Sequence, residues 1–320
     1  MIKKIVLLVV MAFSTFIVRA QQDAMFSHYM FNTQSINPGY VGSREVLSVF
    51  SVVRSQWLNF DGAPKTQTLS INSPLLNDEL GFGLSLLNDK IGPIKSTVIA
   101  LDLAYHLKVT ETGNKLSFGI KGGGNAFRSD FSMLDLDPGD PDIIDPSFSR
   151  DMRSKFLPNF GAGFYYNTPK YYAGLSVPNI LQNDFDQSQR HLFLIAGAVF
   201  DIDRDIKLRP SLYVKTTKNA PTTLDLSSYA VYKDTFWFGL MFRTAMGKIL
   251  PTGKVGGGLG FMAGANLDKL GLPEDLSVGY SFDYSVGNTT FKYNGGSHEL
   301  FLRFDFMFKK KDVIKSPRYF

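Results

Sequence analysis

The chain has 320 residues, 44% hydrophobic and 14% aromatic, with no cysteine, so no disulfide supports the fold and stability has to come from burial and strand pairing. Three of its 34 basic residues, Lys3, Lys4 and Arg19, fall in the first twenty; the remaining 31 face 29 acidic ones. That balance, with no basic stripe carrying interleaved aromatics, argues against nucleic acid as a partner.

Residues 1–20 have the three parts of a secretory signal: Lys3 and Lys4, the apolar stretch Ile5 to Val18, and Val18-Arg19-Ala20 as a small-residue cleavage site before Gln21. The apolar run is shorter than the ~20 residues a spanning helix needs, and no later run reaches that length. A membrane-spanning fold made from this chain therefore has to be a closed barrel, the one sheet that leaves no backbone group unpaired in lipid. Residues 21–43 show no alternation. They read as a segment that stays in the periplasm or folds back into the lumen as a plug.

From residue 44 to 308 the dominant signal is alternation of period two, broken by clusters of Gly, Pro, Asn and Asp. In Asp275 to Ser285, Leu276, Val278, Tyr280, Phe282 and Tyr284 share one face, and Ser277, Gly279, Ser281 and Asp283 the other. The same split recurs at Lys115 to Phe127 and Ile206 to Thr216. The runs predict strands at 44–54, 66–73, 80–88, 96–108, 115–127, 158–167, 170–177, 190–201, 206–216, 221–233, 235–244, 254–266, 275–285 and 297–308.

The connections alternate in length. The odd-numbered ones run about eleven, seven, thirty, twelve, four, nine and eleven residues, and the even-numbered ones about six, six, two, four, one and eight, the rhythm of long extracellular loops and short periplasmic turns. The predicted fold is all-β: a closed antiparallel transmembrane β-barrel of about fourteen strands over 44–308 in an outer membrane. Both termini then face the periplasm, and 309–320 form a basic periplasmic tail. Tyr165, Tyr166, Tyr171, Tyr172, Phe236, Trp237 and Phe238, near strand ends, suit the headgroup boundary.

Catalytic constellations are missing. His28, His106, His191 and His298 have no metal-ligand spacing, and no Gly-x-Ser-x-Gly elbow appears. Gly122-Gly123-Gly124 and Gly256-Gly257-Gly258 lack the Lys-Ser/Thr pair and following helix that phosphate binding needs. The chain thus reads as non-enzymatic, without cofactor. One oxygen-rich loop is set apart: Asp135, Asp137, Asp140, Asp142 and Asp145 crowd together among Pro138, Gly139, Pro141 and Pro146. Such a loop can hold calcium, although its spacing is not that of an EF-hand. A solvated external loop that a partner contacts is the plainer reading.

An ordered set of motifs points further: Ser27-His28-Tyr29, Asn37-Pro38-Gly39-Tyr40, Arg54-Ser55-Gln56-Trp57 with Pro64-Lys65-Thr66, Gly81-Phe82-Gly83 with Asn88-Asp89, Pro158 to Gly163, Tyr172 to Pro178, and Gly296-Ser297-His298-Glu299. With them the chain resembles the PorP/SprF proteins of the type IX secretion system of Bacteroidetes. The resemblance implies binding, secretion or surface anchoring of cargo carrying a C-terminal sorting domain, contact with the secretion machinery, and gliding motility as one context. Trp57, Phe60 and the Asp135 to Asp145 cluster are the expected contacts. The alternative is an outer-membrane channel for small apolar or nutrient molecules.

Overall fold

The computed structural model of the protein describes residues 25–75, 78–110, 113–130, 155–183, 186, 188–218, 220–246, 257–267, 275–286 and 294–306. Among these, fifteen strand segments join one sheet: β1 Leu47–Gln56, β2 Lys65–Leu75, β3 Leu80–Ile91, β4 Ile94–Lys108, β5 Lys115–Ser129, β6 Lys155–Asn167, β7 Tyr171–Val177, β8 His191–Ala198, β9 Phe200–Asp201, β10 Ile206–Thr217, β11 Thr222–Tyr232, β12 Phe236–Met246, β13 Gly257–Asn266, β14 Asp275–Val286 and β15 Ser297–Phe306. β8 and β9 are one stave interrupted at Val199, whose N–H turns aside to the Lys170 carbonyl. The barrel therefore has the expected fourteen staves. Every pairing is antiparallel between chain neighbours, and β15 pairs with β1, closing the ring. Closure leaves no free edge running the length of the sheet.

Alternation sorts the side chains as the sequence implies. Leu101, Leu103, Phe118, Ile120, Phe164, Leu240, Phe261, Leu300 and Leu302 are exposed on the outside, where lipid takes the place of water. Ser117, Ser211, Ser281, Asp283 and Glu299 are buried on the inside. Three of the aromatics expected at the headgroup boundary instead face inward: Tyr165, Tyr172 and Trp237 are buried, while Tyr166, Tyr171, Phe236 and Phe238 lie outside. Adjacent residues of a strand cannot share a face, so each neighbouring pair had to be divided.

Other differences concern boundaries. The third connection is not a seven-residue loop but the two-residue turn Gly92-Pro93, with Ile91 paired to Ile94. The first strand starts at Leu47 rather than residue 44, because Arg44 lies in a turn and Glu45 takes a positive φ of 60°. Residues 1–20 and 309–320 lie outside the described residues.

Met25 to Val46 do not join the sheet. They form turns and two short 3-10 pieces, Thr33–Ser35 and Pro38–Tyr40, almost wholly buried. Their polar groups bond to side chains or carbonyls of β1, β2, β3, β4, β6, β7, β10, β11, β14 and β15. A segment bonded to staves all round a closed ring can lie only within it.

Candidate functional site: the filled lumen and the loop-side rim

The lumen holds a continuous plug–wall network. At its centre Arg54 of β1 bridges two carboxylates, with Nη1 3.0 Å from Glu299 Oε2 and Nη2 2.7 Å from Asp283 Oδ2. The plug completes the set. The Ser27 hydroxyl accepts from Arg54 Nη1 at 2.8 Å and donates to Asp283 at 2.6 Å. The backbone N–H groups of Ser27 and His28 donate to the two Glu299 oxygens, each at 2.9 Å, and His28 Nδ1 lies 2.7 Å from Oε1. Charges this deep are tolerable only when paired and hydrogen-bonded, as these are. Around them Phe31, Trp237 and Phe301 pack ring on ring, with centroids 4.8 to 6.0 Å apart.

Further along, the Tyr29 hydroxyl meets Ser211 and Ser227 at 3.2 and 3.0 Å, and its ring stacks on Tyr213. Burial pushes the Tyr29 phenol up to about 12, so it stays protonated and donates. Gln34 donates to the Ile71 and Leu84 carbonyls and reaches Asp102, which also pairs with Lys121 at 3.0 Å. Arg44, where the plug leaves the lumen, pairs with Asp305 at 2.7 Å. Burial works against the charged guanidinium, but the Asp305 carboxylate and Tyr40 hold it protonated.

Missing side chains let the plug sit this close. A Cβ on Gly81 would stand 1.9 Å from the Val41 carbonyl oxygen, and one on Gly163 2.2 Å from Asn37 Oδ1. Asn37 in turn donates to the Phe164 carbonyl at 2.8 Å and accepts from its own Gly39 N–H, capping the second 3-10 piece. The scattered motifs of the sequence thus meet in space: Ser27-His28-Tyr29 and Asn37-Pro38-Gly39 are the plug, and Arg54, Gly81, Gly163 and Glu299 are its seat.

The candidates named from sequence lie elsewhere. Trp57 and Phe60 sit in the loop between β1 and β2, 40% and 48% exposed, with ring centroids 6.4 Å apart. Backbone bonds from Leu58 to Gly296, from Asn59 to Asn294 and from Gly92 to Gly62 pin this loop to both neighbours. Trp57 and Phe60 are therefore fixed and exposed together. Asp135, Asp137, Asp140, Asp142 and Asp145 lie outside the described residues. No group of His, Asp or Glu with metal-binding geometry occurs among the described residues. His106 bonds Ser117 at 2.6 Å in the lumen and His298 bonds Tyr280 at 2.6 Å on the outer face.

Sequence reasoning missed Arg54, Asp283 and Glu299 as one cluster. Charge on the small-residue face of β14 and β15 was the available signal, but the partners stand 229 and 245 residues apart.

The fold is shared with a known barrel. The CymD monoaromatic hydrocarbon channel is similar with a TM-score of 0.52 and 12% identity, covering 88% of this chain and 93% of that one. The outer membrane protein Omp33 of Acinetobacter baumannii gives a TM-score of 0.48 at 9% identity over 82% of this chain and 98% of its own. The KdgM porin gives 0.36 at 10% identity, covering 81% and 99%. Comparison by sequence with curated proteins finds no match. The model of the type IX secretion system membrane protein PorP/SprF matches residues 18–304, nearly the whole barrel and its plug. This outer-membrane chain belongs to the PorP/SprF family of type IX secretion system membrane proteins.

Proposed function

We propose that the barrel is a non-enzymatic docking platform that binds cargo carrying a C-terminal sorting domain and helps secrete it or anchor it at the cell surface. The observation that carries this reading is the filled lumen. A plug tied to staves on every side by buried hydrogen bonds and ion pairs favours a surface that partners grip over a path that solutes follow. On this reading the loop-side rim meets cargo. Trp57 and Phe60 are the apolar anchors, since exposed aromatics held rigid lose little entropy on binding. The Asp135 to Asp145 loop adds polar contacts, with calcium as its candidate ligand. The opposite rim meets the secretion machinery, and gliding motility is one setting for such a platform.

The test is co-purification of the tagged barrel from native membranes in detergent. Cargo or machinery retained by the wild type, with cargo lost from a Trp57→Ala, Phe60→Ala double variant, is the expected result. Absence of any such chain, together with solute flux through the purified barrel, would overturn the proposal in favour of a channel for small apolar or nutrient molecules.

A further inference from the structure

The wall is not equally tall all round. β7 has seven residues, fewer than the ~9–11 that a membrane-crossing strand needs. Its pairing with β6 ends at Val177 opposite Ala162, yet β6 continues past that point from Gly161 to Lys155, still paired to β5 on its other side. On this upper stretch Phe156 and Phe160 face outward, 59% and 57% exposed, as lipid-facing side chains do. The regular sheet therefore stops short above β7, leaving a notch in it at the height of an apolar surface that the chain at 178–181 crosses.

The edge of β6 along the notch is closed by its own chemistry. Pro158 has no N–H to offer. The Phe160 N–H donates to Asn159 Oδ1 at 2.9 Å, and the Phe160 carbonyl accepts from the Ile180 N–H at 2.8 Å. The Asn159 side chain also accepts from the Leu181 N–H at 3.0 Å and donates to the Leu181 carbonyl at 2.9 Å. A Cβ on Gly161 would lie 2.3 Å from the Pro178 carbonyl oxygen, so glycine there lets the chain leaving β7 cross over β6. Groups already satisfied in this way do not invite another strand.

Behind the notch lies a cavity of about 260 Å³ between the plug and the wall. Phe26, Leu87, Val98, Phe127, Leu157 and Phe193 make most of its lining apolar, and Asp89, Lys121, Asn159 and Ser188 add polar groups. Asp186 also lines it, accepting from Asn125 Nδ2 at 3.1 Å. The lumen beside Arg54 is filled; here space is left beside the stacked Tyr29 and Tyr213 rings and the Lys121–Asp102 pair. The space exceeds the ~150 Å³ in which a benzene ring fits, and an apolar void forfeits dispersion contacts that a guest chain restores.

We propose that this cavity binds the acyl chain of an amphipathic lipid from the surrounding leaflet, which enters through the notch above β7 and leaves its polar head at Asn159 and Ser188. The site stands apart from the docking reading, since it needs neither cargo nor the rim.

The test is photolabelling of the full-length barrel in lipid nanodiscs with a fatty acid carrying a diazirine at its chain end. Adducts on Leu157 and Phe193 are expected, falling by about tenfold in the cavity-filling variants Ala100→Phe and Ser96→Phe, a loss worth ~1.4 kcal/mol. Adducts on outward-facing Leu103 and Phe164 persist in the same samples, and heat-modifiable migration on gels shows that each variant remains a barrel. Adducts confined to the outer face, or cavity labelling unchanged in both variants, would overturn the site. A second arm carries the same photoreactive chain on a phospholipid, which does not leave the leaflet. Cavity labelling by both probes is the expected outcome. Labelling by the free acid alone puts the entrance in water at the loop end and overturns the notch as the entry.

Discussion

Arg54 and Glu299 face one another across the seam where the first strand meets the last, 3.0 Å apart, and the Ser27 backbone and hydroxyl bond to both. The bond that helps hold the ends of the barrel together is thus the same bond that seats the plug.

Replacing Glu299 by Ala removes the acceptor for two plug N–H groups and one partner of a buried guanidinium. Breaking a buried pair of this kind costs ~3–5 kcal/mol. Hydrogen exchange read by mass spectrometry should show protection falling first in residues 25–46, ahead of the outward-facing strands. Equal loss throughout the barrel would contradict a plug held at this point.

Gly163→Val sets a side chain where Asn37 Oδ1 now lies, and Gly81→Val drives one into the Val41 carbonyl. Overpacking costs ~1–3 kcal/mol when neighbours can shift, and here backbone stands in the way at Gly81. The expected phenotype is a barrel that still shows heat-modifiable migration but whose 25–46 segment is cut by protease. Protease resistance equal to wild type in both variants would disprove the tight seat.

Tyr29 supplies a pH dependence. Its phenol is raised by burial to about 12 in the folded protein, against 10 for the free side chain. The protonated form therefore contributes stability that is full below pH 10 and lost as pH climbs through 12. Protection of residues 25–46 should drop more steeply over that window in wild type than in Tyr29→Phe. At neutral pH the variant costs only ~1 kcal/mol, because Ser211 and Ser227 remain bonded to each other at 2.6 Å. Parallel alkaline profiles for the two proteins would rule out this role.

Trp57→Ala and Phe60→Ala, at exposed positions, should change barrel stability by no more than ~0.5 kcal/mol. Their effect is expected on cargo retention, which co-purification measures. A fall in thermal stability matching the fall in retention would point to a structural loop in place of a contact surface.

Much of the barrel was legible because a strand repeats its instruction every two residues. Leu276 to Tyr284 and Lys115 to Lys121 each state inside and outside several times over, and the structure follows them. Connection lengths were read less well. At Ile91 and Ile94 the strand pairing runs on to the turn through residues 88–90 and 95–97, which carry no alternation, so the hairpin extends further than its pattern suggested. The plug carries no period at all. Its conformation is set by side chains such as Asn37 and Gln34 reaching carbonyls on strands far away in sequence, and a single chain of letters does not display such partners. Trp57 and Phe60 were expected contacts because they fall in a predicted external loop; Arg54 stands in the same motif as Trp57, but nothing in the sequence ties it to Asp283 and Glu299.

The plug's bonds fix distances across the ring. Tyr29 must reach β10 and β11 while, two residues earlier, Ser27 reaches β1, β14 and β15. Glu299 takes up its position only when the last stave has docked against the first. The plug is therefore satisfied only once the ring is closed, and it is a gauge of circumference: a ring one stave short, or one still open at the seam, leaves Arg54, His28 and Ser27 without their shared carboxylate.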